Sequence, residues 1–290
     1  MDQAVIFRKE IESLKVSELK IRENRDMKAR HFHDSAELYI LTEGRRCIFM
    51  DRKVHVLEAG QAVLIPPGQI HKTSTFGEDP CHQRFLMQFS RKGSEGILLG
   101  LTEMDFEAFC QKYQGTVLFD EKTWQEVVIL MDRIKTEFGK EDPELPLVRL
   151  LAHELLLLYA GQKQRAAAAS SPQETETGSS GVHGTVEEVT QYLHDHLMDD
   201  ISLDDLSRRF FISRAYLTRA FRQVTGVTVI QYLTVIRIRR ACSLLQDTDD
   251  SVTGIARQCG FSNATYFESV FKRLRGMTPR QYRRQTGKRS

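Results

Sequence analysis

The fold is decided between Ser202 and Tyr282, where the sequence reads SLDDLSRRFFISRAYLTRAFRQVTGVTVIQYLTVIRIRRACSLLQDTDDSVTGIARQCGFSNATYFESVFKRLRGMTPRQY. One pattern occurs twice in it: Leu206, Ser213, Phe221, Gly226, Thr228, Gln231 and Tyr232 correspond to Ile255, Ser262, Phe271, Gly276, Thr278, Gln281 and Tyr282. The spacing is 49 residues for the first two pairs and 50 for the others, which predicts a one-residue insertion between Ser262 and Phe271. Such a repeat predicts two copies of a small helical unit.

Each copy has the pattern of a short helix followed by a longer one. The helical stretches are LDDLSRRF and SRAYLTRAFRQV in the first copy, and VTGIARQC and SNATYFESVFKRLR in the second. Ser213 and Ser262 suit the N-cap position of the longer helices, and Gly260 suits a turn that needs a positive φ. Phe211 stands at the place of Gly260 in the first copy, so the two turns are expected to differ. The pattern predicts two helix-turn-helix units.

The longer helix of each unit is predicted to have one buried and one exposed face. The exposed residues that we predict to contact DNA are Arg214, Ala215, Thr218, Arg219 and Arg222 in the first unit, and Asn263, Ala264, Thr265, Glu268, Ser269 and Lys272 in the second. Arginine can bind guanine through two hydrogen bonds, and small side chains let a helix approach the base edges closely. An ordinary solvated helix face is the alternative.

The charge of the chain is unevenly distributed. Residues 201–290 carry 17 Lys and Arg against 6 Asp and Glu, whereas residues 1–200 carry 24 against 33. The formal charges are therefore +11 and −9. A basic segment attached to an acidic one suggests that only the former binds a polyanion such as DNA.

The residues between the two units, Thr228 to Gln246, are predicted to form one helix. Nineteen residues give a helix of roughly 28 Å, near the ~34–36 Å between successive major grooves on one side of DNA. Arg237, Arg239 and Arg240 on this helix are candidates for phosphate contacts. Alternatively, they bridge the two units through acidic partners such as Asp204 or Asp205.

The segment IARQCGFSNATYFESVFKRLRGMTPRQYRR, residues 255–284, together with YLTRAFRQVTG in the first copy, resembles the DNA-binding domain of AraC/XylS-type transcriptional regulators. The resemblance covers about 100 residues. It implies that the base-reading positions are Ala215, Thr218, Arg219, Ala264, Thr265 and Ser269. Ser207 departs from the family pattern, which favours Ala there.

Residues 1 to about 100 consist of short apolar runs between turn signals, which predicts a β-sandwich or barrel. HFHDSAELYILTEG (31–44) and GQAVLIPPGQIH (60–71) resemble the two cupin motifs, H-x-H-x3-E-x6-G and G-x5-P-x-G-x2-H. The polar residues of the motifs are His31, His33, Glu37 and His71. Arg25 and Thr75 depart from the pattern of metal-binding cupins, which have Gly and Asn at those places.

Three interpretations of these four residues stay open. They line a pocket for a small organic effector, they are structural side chains satisfied by hydrogen bonds in the barrel, or they hold a divalent metal. The alternatives to an effector-responsive regulator are therefore a metal-responsive regulator and a metal-dependent cupin enzyme that uses His31, His33, Glu37 and His71. We predict the first function, with no catalytic residue, no cofactor and no metal assigned.

Residues 102–163 have helical periodicity with broad apolar faces, which predicts helices that pack on the β domain, dimerise with a second chain, or both. Residues 164–184 are small and polar, and are predicted to be a flexible linker. The fold class predicted is α+β in two domains, a cupin-like β-barrel followed by helices and an all-α double helix-turn-helix. Their bounds are 1–163 for the sensor domain, 164–184 for the linker and 185–290 for the DNA-binding domain.

Cysteine usage and hydropathy indicate the compartment. The five cysteines are scattered and form no CxxC pair, which is typical of reduced cytoplasmic proteins. No stretch approaches the ~20 apolar residues that span a bilayer, and no secretory signal pattern is present. The predicted partners are double-stranded promoter or operator DNA, a small-molecule effector, a second copy of the chain in a homodimer, and RNA polymerase, with no membrane.

Overall fold

The structure, a computed structural model, describes residues 3–22, 34–76, 80–169 and 181–286. The chain divides into two compact units, residues 1–177 and residues 178–290. The described part of the first unit contains strands and helices, and that of the second contains helices and no strand. Within the described residues no helix is both long and apolar enough to cross a membrane.

The elements of the first unit are numbered in chain order. They are β1 (Gln3–Ile11), β2 (Leu14–Ile21), β3 (Ser35–Met50), β4 (Lys53–Glu58), β5 (Gln61–Ile65), β6 (His71–Thr75), β7 (His82–Ser90), α1 (Arg91–Thr102), α2 (Phe106–Tyr113), β8 (Gly115–Leu118), α3 (Glu121–Gly139) and α4 (Leu145–Ala169). The predicted β domain followed by helices is confirmed.

The strands are antiparallel and are organised around the long strand β3. The sheet order is β1-β2-β7-β3-β5-β8, and β4 and β6 both pair with the second half of β3. The strand bends at Gly44, which has φ +79°, and a Cβ there would collide with the carbonyl oxygen of Cys81. The closed barrel expected from the sequence is not found among the described strands. Their pairings form an open path, because β1 pairs only with β2 and β8 only with β5.

The first half of β3 separates two environments, because side chains alternate across a strand. Leu38 and Ile40 belong to the large apolar core that includes the helices. Tyr39 and Leu41 belong to a second cluster on the other face of the sheet. Glu37 lies on this second face as well, which is called the inner face below.

Helix α4 is fixed on the sheet through polar groups in an otherwise apolar interface. The hydroxyl of Tyr159 accepts a hydrogen bond from the Leu64 N–H at 3.2 Å and donates to the carbonyl oxygen of Tyr113. Lys163 donates to the Thr116 carbonyl oxygen at 2.9 Å. The apolar helices predicted from the sequence therefore do pack on the β domain.

The helical limits around the predicted linker differ from the expected ones. Helix α4 continues to Ala169, through six residues that composition assigned to the linker. The alanines at 166–169 explain this extension, because alanine has the highest helix propensity. The next helix begins at Val182, before the predicted limit of 184.

The second unit consists of α5 (Val182–Asp195), α6 (Leu203–Arg209), α7 (Arg214–Thr225), α8 (Val229–Asp247), α9 (Val252–Gln258), α10 (Ala264–Arg275) and α11 (Pro279–Thr286). Helix α8 is the predicted connecting helix. It is N-capped by Thr228, which forms a capping box with Gln231. Apolar side chains of α8, α9 and α10 form a shared core that also contains Tyr282 of α11.

The buried imidazole of His82 should make the first unit sensitive to acid. Its Nδ1–H donates to the Pro80 carbonyl oxygen at 2.8 Å. Burial, with smaller contributions from Arg46 and Arg84, lowers its pKa to about 4, whereas an unfolded histidine titrates near pH ~6.5. The unfolded chain therefore binds a proton first, and stability is lost as the pH falls from ~6.5 towards 4.

We expect His82→Asn to reduce the stability lost between pH ~7.5 and ~5.0 by about 1–2 kcal/mol. Urea unfolding followed by fluorescence measures this, because Trp124, the single tryptophan of the chain, lies in the first unit. His55→Asn, on strand β4 of the same unit, is the control. An unchanged pH dependence in His82→Asn would contradict the assignment.

Candidate nucleic-acid interface

The two predicted helix-turn-helix units are α6 with α7 and α9 with α10. In the first, Ser202 and Asp205 form a capping box at the start of α6, and Ser213 accepts a hydrogen bond from the Tyr216 N–H as N-cap of α7. In the second, Ser251 caps α9. The side chains that satisfy the first turn of these helices are therefore local in sequence, which fixes where each helix begins.

The longer helix of each unit has the two faces that the periodicity predicts. The buried positions are Leu217, Ala220, Phe221 and Val224 in α7, and Phe267, Val270 and Phe271 in α10. The exposed positions are Arg214, Ala215, Thr218, Arg219 and Arg222 in the first unit, and Asn263, Thr265, Glu268, Ser269 and Lys272 in the second, with Ala264 partly exposed. All the side chains named as candidates for DNA contact are thus accessible in the described unit.

The prediction that Ser262 caps α10 is wrong, because the N-cap is the next residue, Asn263. Its side chain accepts a hydrogen bond from the Tyr266 N–H at 3.0 Å. Asn263 therefore corresponds to Ser213, with a spacing of 50 residues, while the turn residues Phe211 and Gly260 still differ by 49. The inserted residue consequently lies in the second turn, not between Ser262 and Phe271.

The two turns therefore differ in length, as expected, but Phe211 and Gly260 share a backbone conformation. Phe211 has φ +54° and Gly260 has φ +77°, so both residues are in the left-handed region. What differs is the surroundings. A Cβ at Gly260 would lie 2.7 Å from the Leu197 carbonyl oxygen and 3.0 Å from the Arg237 guanidinium, whereas Phe211 is 94% exposed. The first turn tolerates a side chain because none of the described residues covers it.

Arg237 on α8 joins the segment before α6 to the turn before α10, but not through the acidic partners that the sequence suggested. Its Nε donates to the Leu197 carbonyl oxygen and its Nη2 to that of Asp199, both at 2.7 Å. It therefore binds backbone carbonyls instead of Asp204 or Asp205. Arg240 is exposed and Arg239 is half-buried.

Asp204 and Asp205 have partners nearer in sequence. Asp204 pairs with Arg214 at 2.8 Å, and Asp205 pairs with Arg208 at 2.6 Å. The ion pair holds Arg214 against α6, so this arginine is less available for DNA than Arg219 or Arg222.

Two of the four candidate effector residues can be placed. Glu37 and His71 are 2% and 1% exposed, and His71 Nε2 lies 3.9 Å from Glu37 Oε1. Gln88 donates to the other carboxylate oxygen at 3.0 Å. His31 and His33 lie outside the described residues. Within the described ranges, no group of three or more His, Cys, Asp or Glu side chains is placed to hold a metal ion.

Sequence reasoning missed three other polar residues near Glu37. Tyr39 and Arg46 are each 2% exposed, and the Arg84 guanidinium lies 5.5 Å from the centre of the Tyr39 ring. Arg46 donates to Thr75 Oγ1 at 3.1 Å. The alternation of β3 could have indicated Tyr39, which is two residues from Glu37.

Comparison with known proteins agrees with both units. A model described as a helix-turn-helix domain matches residues 206–285, and a model described as an AraC-like ligand binding domain matches residues 20–92. A helix-turn-helix unit joined to a ligand-binding β domain defines a DNA-binding transcription regulator that carries a sensor. The chain belongs to the AraC family of transcription regulators.

Full-length relatives match across both units. The transcriptional activator RhaR of Mannheimia succiniciproducens is 25% identical over 260 residues, which cover 87% of this chain and 86% of the relative. The transcriptional activator RhaS of Escherichia coli is 26% identical over 254 residues, with the same coverage. Among solved structures, the C-terminal domain of AraT from Geobacillus stearothermophilus is 31% identical, with 38% of this chain and 93% of that domain covered and a TM-score of 0.37.

The equivalent turn residues should respond in opposite ways to substitution. We expect Gly260→Ala to destabilise the helical domain (residues 178–290) by about 2 kcal/mol or more, because of the positive φ and the contact with Leu197. Phe211→Gly should stabilise it by about 1 kcal/mol, because it relieves a left-handed phenylalanine whose ring packs on nothing. Urea unfolding followed by circular dichroism measures both. Changes of the same sign would refute this explanation of the turns.

Proposed function

We propose that this protein inserts α7 and α10 into successive major grooves of operator DNA, and that a small effector bound on the inner face of the sheet changes that binding. The repeated helix-turn-helix is the main support for the DNA-binding part of this proposal. Two helices of equal length, each twelve residues, expose small, polar and basic side chains within residues 201–290, which carry a net charge of +11. An ordinary solvated helix face gives no reason for the same exposed pattern to occur in both helices.

The connecting helix supports binding to adjacent grooves. Helix α8 has 19 residues, which corresponds to a length of roughly 28 Å. Successive major grooves on one side of DNA are ~34 Å apart, so one chain is long enough to address two of them. Base reading is proposed for Ala215, Thr218, Arg219, Ala264, Thr265 and Ser269, and phosphate contact for Arg222 and Lys272.

Arg219 is the proposed reader of a guanine. The side chain is exposed in the middle of α7, and among the described residues no ion pair holds it, unlike Arg214. Asn263 is a weaker candidate in the second unit, because its side-chain oxygen caps α10. Its amide nitrogen remains available.

We expect Arg219→Ala to weaken specific binding by roughly 1–3 kcal/mol and to relax preference at one base pair. Arg240→Ala, which removes an exposed arginine from α8, is the control and should leave the base preference unchanged. Selection of binding sites from random DNA, followed by mobility-shift titration, measures both quantities. An unaltered base preference in Arg219→Ala would leave this residue as a phosphate contact.

The effector is proposed to bind near Glu37 and His71. These two side chains lie buried on the inner face, in the part of the chain that matches the ligand-binding model. Glu37→Gln should abolish the response of DNA binding to the effector, whereas Glu43→Gln, an exposed change on the same strand, should preserve it. An intact response in Glu37→Gln would place the effector elsewhere.

A homodimer is proposed through the outer face of α4. Leu150 is 57% exposed, and it lines a groove of ≈ 430 Å³ with Leu157, Leu158, Glu154, Gly161 and Arg165. Glu154 and Arg165 lie three helical turns apart on this face. In an antiparallel pair of α4 helices, Glu154 of each chain would face Arg165 of the partner subunit, and Leu158 would face the small residue Gly161.

We expect Glu154→Arg and Arg165→Glu each to raise the dimer dissociation constant by about tenfold, because like charges replace two ion pairs. An equimolar mixture of the two variants should dimerise as the wild type does. Sedimentation equilibrium measures this, with Glu141→Arg in the loop before α4 as the control. A mixture as weak as the single variants would contradict antiparallel pairing.

The remaining proposals follow from the family. Its named relatives are transcriptional activators, which favours a regulator working on promoter DNA in the cytoplasm over an enzyme. RNA polymerase is the proposed further partner. A promoter complex whose mobility is unaffected by added polymerase would argue against direct contact.

A further inference from the structure

The inner face of the sheet gathers positive charge around one buried hydroxyl group. Tyr39 and Arg84 point to this face, because Tyr39 pairs with Leu86 and Arg84 with Leu41 in the β3–β7 register. Arg46 reaches the same place from the second half of β3, where it is opposite Leu57 of the same apolar cluster. The Arg84 guanidinium therefore lies 5.5 Å from the centre of the phenol ring, and Arg46 lies on the same face.

The hydroxyl group of Tyr39 lacks an acceptor among the described residues. The Tyr39 oxygen is fully buried, and no acceptor among the described residues takes its proton. Its nearest charged neighbours, Arg84 and Arg46, are donors only. Burial raises the pKa of Tyr39, so the hydroxyl keeps its proton and is itself a donor.

Arg84 adds a second donor of the same kind. Its Nη1 is also buried without a hydrogen-bond partner in the described part of the chain. Buried donors that lack an acceptor cost about 1–3 kcal/mol each, and more when charged. The site is thus short of acceptors, and a bound group that supplies them would offset this cost.

The charge balance favours an anionic group. Both guanidinium groups act on His82, whose pKa burial and these arginines lower, so the imidazole is neutral at neutral pH. Glu37 is the acidic side chain of this face in the described residues, and it is bonded to Gln88 at 3.0 Å. The described side chains of this face therefore include one carboxylate and two guanidinium groups, which leaves an excess of positive charge.

We propose that Tyr39, Arg46 and Arg84 bind the carboxylate of a small organic acid, which is the effector. Two arginines and a phenol donate to the two carboxylate oxygens, as guanidinium groups commonly do. The body of the ligand then contacts the aliphatic cluster of Leu41, Val63 and Leu86. Glu37, two residues from Tyr39 on the same strand face, accepts from a hydroxyl or amino group at the other end. This inference rests on the proposed effector site.

Matched pairs of compounds test the proposal on the full chain at constant ionic strength. The probes are D-glucuronate with D-glucose, L-lactate with propane-1,2-diol, and benzoate with benzyl alcohol. Thermal unfolding is followed through Trp124 fluorescence, which reports the first unit. At least one carboxylate is expected to raise Tm by about 2 °C or more, as a ligand of the folded state does, while its neutral counterpart does not.

The Tm shift should depend on Arg84. It is expected to disappear in Arg84→Gln and to persist in Arg45→Gln, which removes an exposed arginine paired with Glu58. Equal shifts from neutral counterparts, a shift retained in Arg84→Gln, or no shift from any carboxylate would each overturn the proposal.

Tyr39→Phe separates a binding role from a structural one. Because the hydroxyl has no acceptor in the unliganded protein, Tyr39→Phe should keep or raise Tm without ligand and should weaken the carboxylate shift at least threefold. A lower Tm without ligand would show that the hydroxyl is structurally satisfied, and would overturn its role.

Failure of this proposal is distinguishable from failure of the proposed function. A neutral compound that changes DNA binding in the wild type but not in Glu37→Gln would refute the carboxylate and leave the effector site intact. An effector response that survives in Glu37→Gln would refute both, while the DNA contacts of Arg219 would be unaffected.

Discussion

The guanidinium group of Arg237 joins the two helix-turn-helix units. It binds the carbonyl oxygens of Leu197 and Asp199 and lies against the turn at Gly260. Helices α6 and α9 have seven residues each, which is too short for a stable isolated helix. Their orientation therefore comes from tertiary contacts. Arg237 connects the segment before the first helix-turn-helix to the turn of the second helix-turn-helix. The relative placement of the two recognition helices is thus a property of the whole unit.

The first unit places unlike environments on the two faces of one sheet. The face towards the helices is apolar except for groups such as the Tyr159 hydroxyl, which is satisfied by backbone. The inner face combines an aliphatic cluster with Glu37, Arg46 and Arg84. Buried charge that is only partly neutralised is costly for folding, and this cost is typical of sites that bind a ligand.

Much of the helical half of the chain, residues 178–290, was predictable because its capping and periodicity patterns are local in sequence. The repeat, the inward-facing side chains of α7 and α10, and the Thr228 cap follow from periodicity and capping rules. The cap at Asn263 was missed because both Ser262 and Asn263 favour that position, and only the backbone distinguishes them. The left-handed Phe211 was missed because its tolerance depends on the absence of a neighbour, which sequence does not record.

Long-range features were less predictable. Glu37 and His71 were correctly brought together by the cupin-like motifs, but Arg46 and Arg84 lie outside those motifs and reach the site through strand pairing. The open path of the sheet depends on which strands remain at the edges, and alternating apolar runs do not specify that. The extension of α4 to Ala169 shows the opposite case, in which local propensity outweighed a composition that resembles a linker.

The central claim is that one chain reads two successive major grooves with α7 and α10. Hydroxyl-radical footprinting of the full chain on a selected binding site tests it most directly. Two protected patches per chain, centred about one helical turn or ~10 base pairs apart on the same side of the DNA, are predicted. A single patch per chain, or two patches on opposite sides of the duplex, would contradict the claim.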